Sequence, residues 1–103
     1  MQELQVNKEN CFSVLMAVYK KEQPLFFKEA LRSVFEQSLI PNEVVLVKDG
    51  PLTEELEQII VDFSSKNEQL KVITLEKNQG LGEALRIGLN ACSFDLVARM
   101  DSD

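Results

Sequence analysis

Histidine is absent from this 103-residue chain, and cysteine is scarce, with two residues. Cys11 and Cys92 do not make a metal-ligand spacing, so a zinc centre of the common Cys/His kind is excluded. Both lie beside apolar segments, which predicts buried thiols rather than a disulfide and a reducing, cytoplasmic compartment. Positive charge is also short, with 11 Lys and Arg against 17 Asp and Glu and a formal net charge of −6. That balance argues against nucleic acid as a partner, because such binding needs a basic surface. A nucleotide remains compatible if a divalent cation screens its phosphates. Long apolar runs are missing as well. The longest, Phe12 to Val18 with one serine, is far too short to cross a bilayer. Met1 to Gln5 has neither the basic start nor the apolar run of a signal peptide. Any membrane contact is therefore expected to be peripheral, at the inner face, and through regions outside this chain.

What is present is ordinary for a globular domain: 45% hydrophobic and 27% charged residues, in a length that can bury a core without staples. Segments alternate as a βα repeat. Phe12–Val18 is a nearly continuous apolar run, as expected of a strand covered on both faces. From Pro24 to Leu39 the period changes to three and four, through Leu25, Ala30, Leu31, Val34 and Phe35, with Pro24 suited to a first helical turn. Pro41-Asn42 marks a loop. Glu43 to Asp49 is a second strand, stopped by Gly50-Pro51. Thr53 is an expected N-cap, with Glu54 and Glu55 at the positive end of the following helix. Leu56, Ile59, Ile60 and Phe63 form that helix's apolar stripe. Leu70–Leu75 reads as a third strand, Leu81–Cys92 as a third helix with Leu81, Ala84, Leu85, Gly88 and Leu89 on one face, and Phe94–Met100 as a fourth strand. The order β-α-β-α-β-α-β predicts an α/β fold, a Rossmann-like parallel sheet of about four strands in order 3-2-1-4 with three crossover helices.

Parallel strands bring their carboxyl ends to one edge, where ligands bind. The tips read Val18-Tyr19-Lys20, Lys48-Asp49-Gly50-Pro51, Glu76-Lys77-Asn78-Gln79-Gly80 and Met100-Asp101-Ser102-Asp103. Each has a bland reading: Asp-x-Asp as a surface turn, Asp49-Gly50-Pro51 as a turn signal, Asn78-Gln79-Gly80 as a loop, Tyr19 as a packed aromatic. Their order along the sheet edge favours a site. Converging carboxylates need protonation or a cation, and hard oxygens without imidazole or thiolate favour Mg²⁺ or Mn²⁺.

Three segments, Phe12–Lys20, Ala30–Ser38 and Glu43–Gly50, resemble the start of family 2 glycosyltransferases. Asn78-Gln79-Gly80-Leu81-Gly82-Glu83-Ala84-Leu85 and Asp101-Ser102-Asp103 complete the pattern in order. The resemblance covers residues 12–103, leaving 1–11 as an N-terminal extension. Lys48 to Leu52 is similar to the amylovoran type of bacterial exopolysaccharide and capsule transferases. The resemblance implies the first half of a GT-A domain that binds a nucleoside diphosphate sugar, a UDP-sugar by expectation. It implies that the Ala17 backbone and the Tyr19 ring flank the nucleoside and that Asp49 accepts from uracil N3–H. Asn78 to Gly82 would lie along the donor, Asp101 and Ser102 near the ribose and diphosphate, and Asp103, with Asp101, on the metal.

Three departures stand out. Lys48 replaces the family's usual first acid, reversing the local charge, and Pro51 replaces a serine. Ala84-Leu85-Arg86-Ile87-Gly88 stands where the family has Ala-Arg-Asn-x-Gly, which leaves Arg86 as a substitute polar group. The family's acceptor site, for a saccharide or lipid-linked acceptor, and the carboxylate base of an inverting enzyme have no counterpart here. The chain is accordingly expected to be the donor-binding part of a longer enzyme, folded but inactive alone, with strand 4 an edge open to self-association. The rival readings fare worse. A receiver-like domain needs an acidic pair after strand 1, a dinucleotide-binding oxidoreductase needs G-x-G-x-x-G there, and a nucleotidyltransferase needs a glycine-rich loop there. Tyr19-Lys20-Lys21-Glu22-Gln23 is none of these. A non-enzymatic metal- or nucleotide-binding module is the remaining alternative.

Overall fold

A computed structural model describes residues 11–101. Its elements are β1 (Ser13–Val18), α1 (Pro24–Glu36), β2 (Glu43–Lys48), α2 (Glu54–Lys66), β3 (Leu70–Thr74), α3 (Leu81–Ala91) and β4 (Val97–Arg99). The four strands form one parallel sheet in the order β3-β2-β1-β4. The central strands β1 and β2 are buried almost throughout, as their unbroken apolar sequences require of strands covered on both faces.

Alternation along the strands divides the core. Val14, Met16, Val18, Val44 and Leu46 pack beneath α1 and α2 with Phe27, Leu31, Val34, Leu56 and Ile60. Leu15, Val45 and Val47 pack against α3 through Ala84. Gly88 lets α3 approach closely: a Cβ there would lie 2.4 Å from Leu15 Cδ1 and 2.8 Å from Val47 Cγ2. The expected cap of α2 is present, with the Leu56 amide donating to Thr53 Oγ1 at 3.2 Å.

Two elements, α1 and β4, depart from their expected bounds by more than one residue, and the buried faces of α1 and α3 differ from expectation. Helix α1 ends at Glu36 rather than Leu39, because the chain turns extended at Gln37 to deliver buried Pro41 to the start of β2. Its buried face is Phe27, Leu31 and Val34, whereas Leu25 is 65% exposed. The three- and four-residue steps are right, but their phase is set by Phe27. On α3, Leu81 and Leu89 are exposed, so the buried stripe narrows to Ala84 and Gly88 with Leu85 beside it. Strand β4 is three residues long rather than seven. Residues 92–95 turn the chain instead, with Cys92 closing α3 on the Leu89 carbonyl and Ser93 tied to Glu43. Pairing then runs from the Leu96 carbonyl, which accepts from Ser13, to the Met100 amide, which donates to Leu15. β4 forms one edge of the sheet among the described residues.

The edge opposite the strand tips is held by one carboxylate. Glu43, 1% exposed, accepts from Ser13 Oγ at 2.6 Å, the Ser93 amide at 2.7 Å, Ser93 Oγ at 2.9 Å and Lys71 Nζ. It joins β1, β2, β3 and the α3–β4 turn.

Candidate functional site

Because all four strands are parallel, the loops that follow β1, β2, β3 and β4 meet at a single edge. There they enclose a cleft of about 320 Å³. Ala17, Val18, Tyr19 and Glu22 line it from β1 and its loop, Asp49 from β2, Asn78, Gly80, Leu81 and Leu85 from α3 and its approach, and Met100 and Asp101 from β4.

Asp49 organises the cleft. It is 5% exposed, with Oδ1 accepting from the Gln79 amide at 2.7 Å and Oδ2 from the Gly80 amide at 3.1 Å. Its backbone carbonyl accepts from Asn78 Nδ2 at 3.3 Å. Gly50 makes this closure possible. It has φ +91°, and a Cβ there would stand 2.6 Å from the Asn78 nitrogen. The tip of β2 and the loop entering α3 are thus one unit, ordered around a buried negative charge. A carboxylate has about four acceptor directions, so Asp49 keeps capacity for a ligand donor. Gly80, with φ +97°, starts α3, whose first amides lack intrahelical acceptors and carry the positive end of the helix dipole. Gly80 and Leu81 border the cleft, so that end meets it.

Tyr19 is 40% exposed at the end of β1, and its carbonyl accepts from the Glu22 amide at 3.0 Å in a turn. Asp101 is exposed and its Oδ1 accepts from Arg99 Nε at 3.0 Å. Of the residues expected from the sequence, Ala17, Tyr19, Asp49, Asn78 and Asp101 share this cleft. Gly82 does not line it; it sits exposed in the first turn of α3. Ser102 and Asp103 lie outside the described residues. Glu22 and Leu85 were not anticipated, and Met100 stood at the tip of strand 4 with no role assigned. Leu85 follows Leu81 by one helical turn, so sequence spacing alone could have found it.

The charge reversal at Lys48 does not reach the cleft. Lys48 falls on the same strand face as Val44 and Leu46, the face beneath α1 and α2. Its Nζ donates to Glu57 Oε1 of α2 at 2.8 Å. Arg86 likewise takes no polar role in the cleft, pairing with Glu83 on the exposed side of α3. Burial, followed by the charge of Glu43, raises the Cys92 thiol above its ordinary pKa and disfavours a nucleophilic role.

Among the described residues, no group of three or more His, Cys, Asp or Glu gathers to cage a metal. The cleft still fits Mg²⁺ or Mn²⁺. Such ions are held by one or two carboxylates together with substrate phosphates and water, and Asp101 supplies a hard oxygen at the cleft wall.

Residues 13–103 match Glycosyl transferase family 2. The chain is 51% identical to the UDP-Gal:alpha-D-GlcNAc-diphosphoundecaprenol beta-1,3-galactosyltransferase of Escherichia coli, over 89% of this chain and 33% of that protein. It is 44% identical to the amylovoran biosynthesis glycosyltransferase AmsE of Erwinia amylovora, over 89% of this chain and 34% of that one. It therefore spans about a third of the length of these relatives. Among solved structures, residues 1–349 of S. aureus TarS in complex with UDP superpose with a TM-score of 0.76 at 32% identity, over 90% of this chain and 27% of that one. The mannosyltransferase PcManGT of Pyrobaculum calidifontis, in complex with GDP-Man and Mn²⁺, shares the fold with a TM-score of 0.75 at 21% identity, over 89% of this chain and 27% of that one. No helix among the described residues is long and apolar enough to cross a membrane.

Proposed function

The chain belongs to glycosyl transferase family 2, and we propose that it is the donor-binding portion, residues 12–103, of an enzyme that transfers a sugar from a UDP-sugar to a saccharide or lipid-linked acceptor. The observation that carries this reading is Asp49. A carboxylate fixed by the Gln79 and Gly80 amides, in the cleft that Tyr19 also lines, suits recognition of a nucleobase N–H. Desolvation makes such a bond selective, because a base without that donor leaves a buried acceptor unpaired. The Escherichia coli relative, whose name carries UDP-Gal and a diphosphoundecaprenol acceptor, and the UDP complex of TarS support the donor and acceptor classes.

In this reading the Ala17 backbone and the Tyr19 ring flank the nucleoside, and Asn78 lies along the donor, whereas Gly82, outside the cleft, takes no part. Asp101 and Ser102 face the ribose and diphosphate, and Asp103 with Asp101 holds Mg²⁺ or Mn²⁺. The bound cation supplies Lewis-acid neutralisation of the charge that grows on the departing diphosphate. The chain's own residues orient the nucleotide so that this charge develops beside the N-terminus of α3.

Calorimetric titration with UDP, with and without Mn²⁺, tests the assignment. UDP is expected to bind more tightly with the metal. Asp49→Ala should weaken binding by about ten-fold or more, the scale of a lost hydrogen bond to a charged acceptor, with the metal effect retained. Asp103→Ala should remove the metal effect. No UDP binding in the presence of Mn²⁺ would overturn the reading.

A further inference from the structure

Helix α1 wastes two large apolar side chains if only the core is considered. Phe27 takes the buried position, and Leu25 and Phe26 beside it stand 65% and 51% exposed. They lie in the first turn of α1, which begins directly after the loop whose Tyr19 and Glu22 line the cleft. Lys20, Lys21 and Lys28 surround them in sequence, and all three are exposed. Among the described residues these lysines enter no ion pair, whereas the next two cations towards the C-terminus, Arg32 and Lys48, are paired with Glu29 and Glu57. Only Glu22 opposes them in this stretch, because Glu29 is engaged by Arg32. Two exposed apolar residues with three unpaired lysines within five residues of them in sequence make a local basic and apolar stretch on a chain whose net charge is −6.

We infer that the β1–α1 loop and the first turn of α1 form a docking surface for an anionic lipid bilayer. Leu25 and Phe26 enter the headgroup boundary, and Lys20, Lys21 and Lys28 lie against anionic headgroups with their stems covering the apolar pair. Charge complementarity selects this occupant. The remainder of the chain is repelled by an anionic surface, so attraction has to be local, and the lysines supply it at the place where apolar side chains can insert. A neutral protein partner would use the leucine and phenylalanine but leave the three lysines without purpose. The geometry has a consequence for the cleft. Docking through the element next to Tyr19 holds the donor edge of the sheet near the headgroups, where a lipid-linked acceptor would present its sugar. That last step rests on the proposed function; the docking itself does not.

Flotation of the chain with vesicles of phosphatidylglycerol and phosphatidylethanolamine, against phosphatidylcholine alone, reads the docking without donor or acceptor. Binding is expected only to the anionic vesicles and is expected to fall with added salt. Replacing Lys20 and Lys21 by glutamine should weaken it about five-fold per lysine. Phe26→Ser, which keeps every charge, should weaken it by about ten-fold. Phe26 is exposed and outside the cleft, so the Phe26→Ser chain should retain its far-ultraviolet circular dichroism and its UDP affinity. Absence of vesicle binding, or equal binding to phosphatidylcholine, overturns the inference. So does a lipid-free self-association that Phe26→Ser abolishes, because a second copy would then be the occupant. Vesicle binding without UDP binding would leave the docking standing and remove the proposed function.

Discussion

Replacing Glu43 by glutamine perturbs the far edge of the sheet while leaving shape and volume almost unchanged. Burial alone would push this carboxyl up, but hydrogen bonds from Lys71, Ser13 and the Ser93 amide and hydroxyl outweigh it and lower its pKa from 4.5 to about 2. A depression of that size corresponds to at most about 3 kcal/mol of stability. Part of it depends on Lys71, whose side chain is 57% exposed, and solvent screens that share, so about 2 kcal/mol is the working value. The sign follows from the direction of the shift. A carboxyl with a depressed folded pKa stabilises the fold fully above its unfolded pKa of 4.5 and progressively less as the pH falls towards 2. Glutamine meets the same donors with one acceptor oxygen and an amide group that can only donate, so at pH 7 the variant should lose about 2–3 kcal/mol. Urea unfolding followed by circular dichroism measures this, with the native chain and Glu43→Gln compared at each pH so that the other acids cancel. The gap between them should be widest near neutrality and should shrink below pH 4.5. A gap that is the same at low and neutral pH would refute the reasoning, as would one below about 0.5 kcal/mol at pH 7, the range of a neutral surface substitution.

Two further substitutions separate the cleft from its surroundings. Gly50→Ala forces a side chain into a φ of +91° and to within 2.6 Å of the Asn78 nitrogen. It should cost about 2–4 kcal/mol in thermal unfolding and weaken UDP binding, because the loop held by Asp49 must move. Lys48→Met breaks the pair with Glu57 on the other side of the sheet. Glu57, 39% exposed, can rehydrate, so the stability loss in urea unfolding should stay within about 1 kcal/mol. The UDP affinity should be unchanged, and a large loss would mean that Lys48 reaches the nucleotide after all.

The order of elements and of strands was legible because it depends on features that short segments carry by themselves. Unbroken apolar runs at Ser13–Val18 and Glu43–Lys48 mark doubly covered strands, and Thr53 marks the start of α2. The strand tips followed from topology, which is why Tyr19, Asp49, Asn78 and Asp101 could be gathered before any geometry was available; Ala17 came from the family resemblance alone. Tertiary contacts decided the rest. The phase of α1 depends on which of Leu25, Phe26 and Phe27 finds space under the helix, and all three have similar hydrophobicity. The length of β4 depends on Ser93 being held by Glu43, fifty residues away in sequence. The role of Lys48 depended on strand parity: counted from Val44 and Leu46, it falls on the α2 side, so the departure from the family pattern leaves the cleft untouched. Glu43 itself gave no signal, because an acid at the start of a strand ordinarily faces water.

The most direct test of the proposed nucleotide site is an amide resonance map of the chain titrated with UDP in the presence of Mg²⁺. The account predicts shifts at Ala17, Tyr19, Gln79, Gly80, Leu81 and Asp101, the amides at or bonded to the cleft, with Ser13, Glu43 and Ser93 at the opposite edge unmoved. Shifts concentrated at the opposite edge, or a spectrum that UDP leaves unchanged, would contradict it.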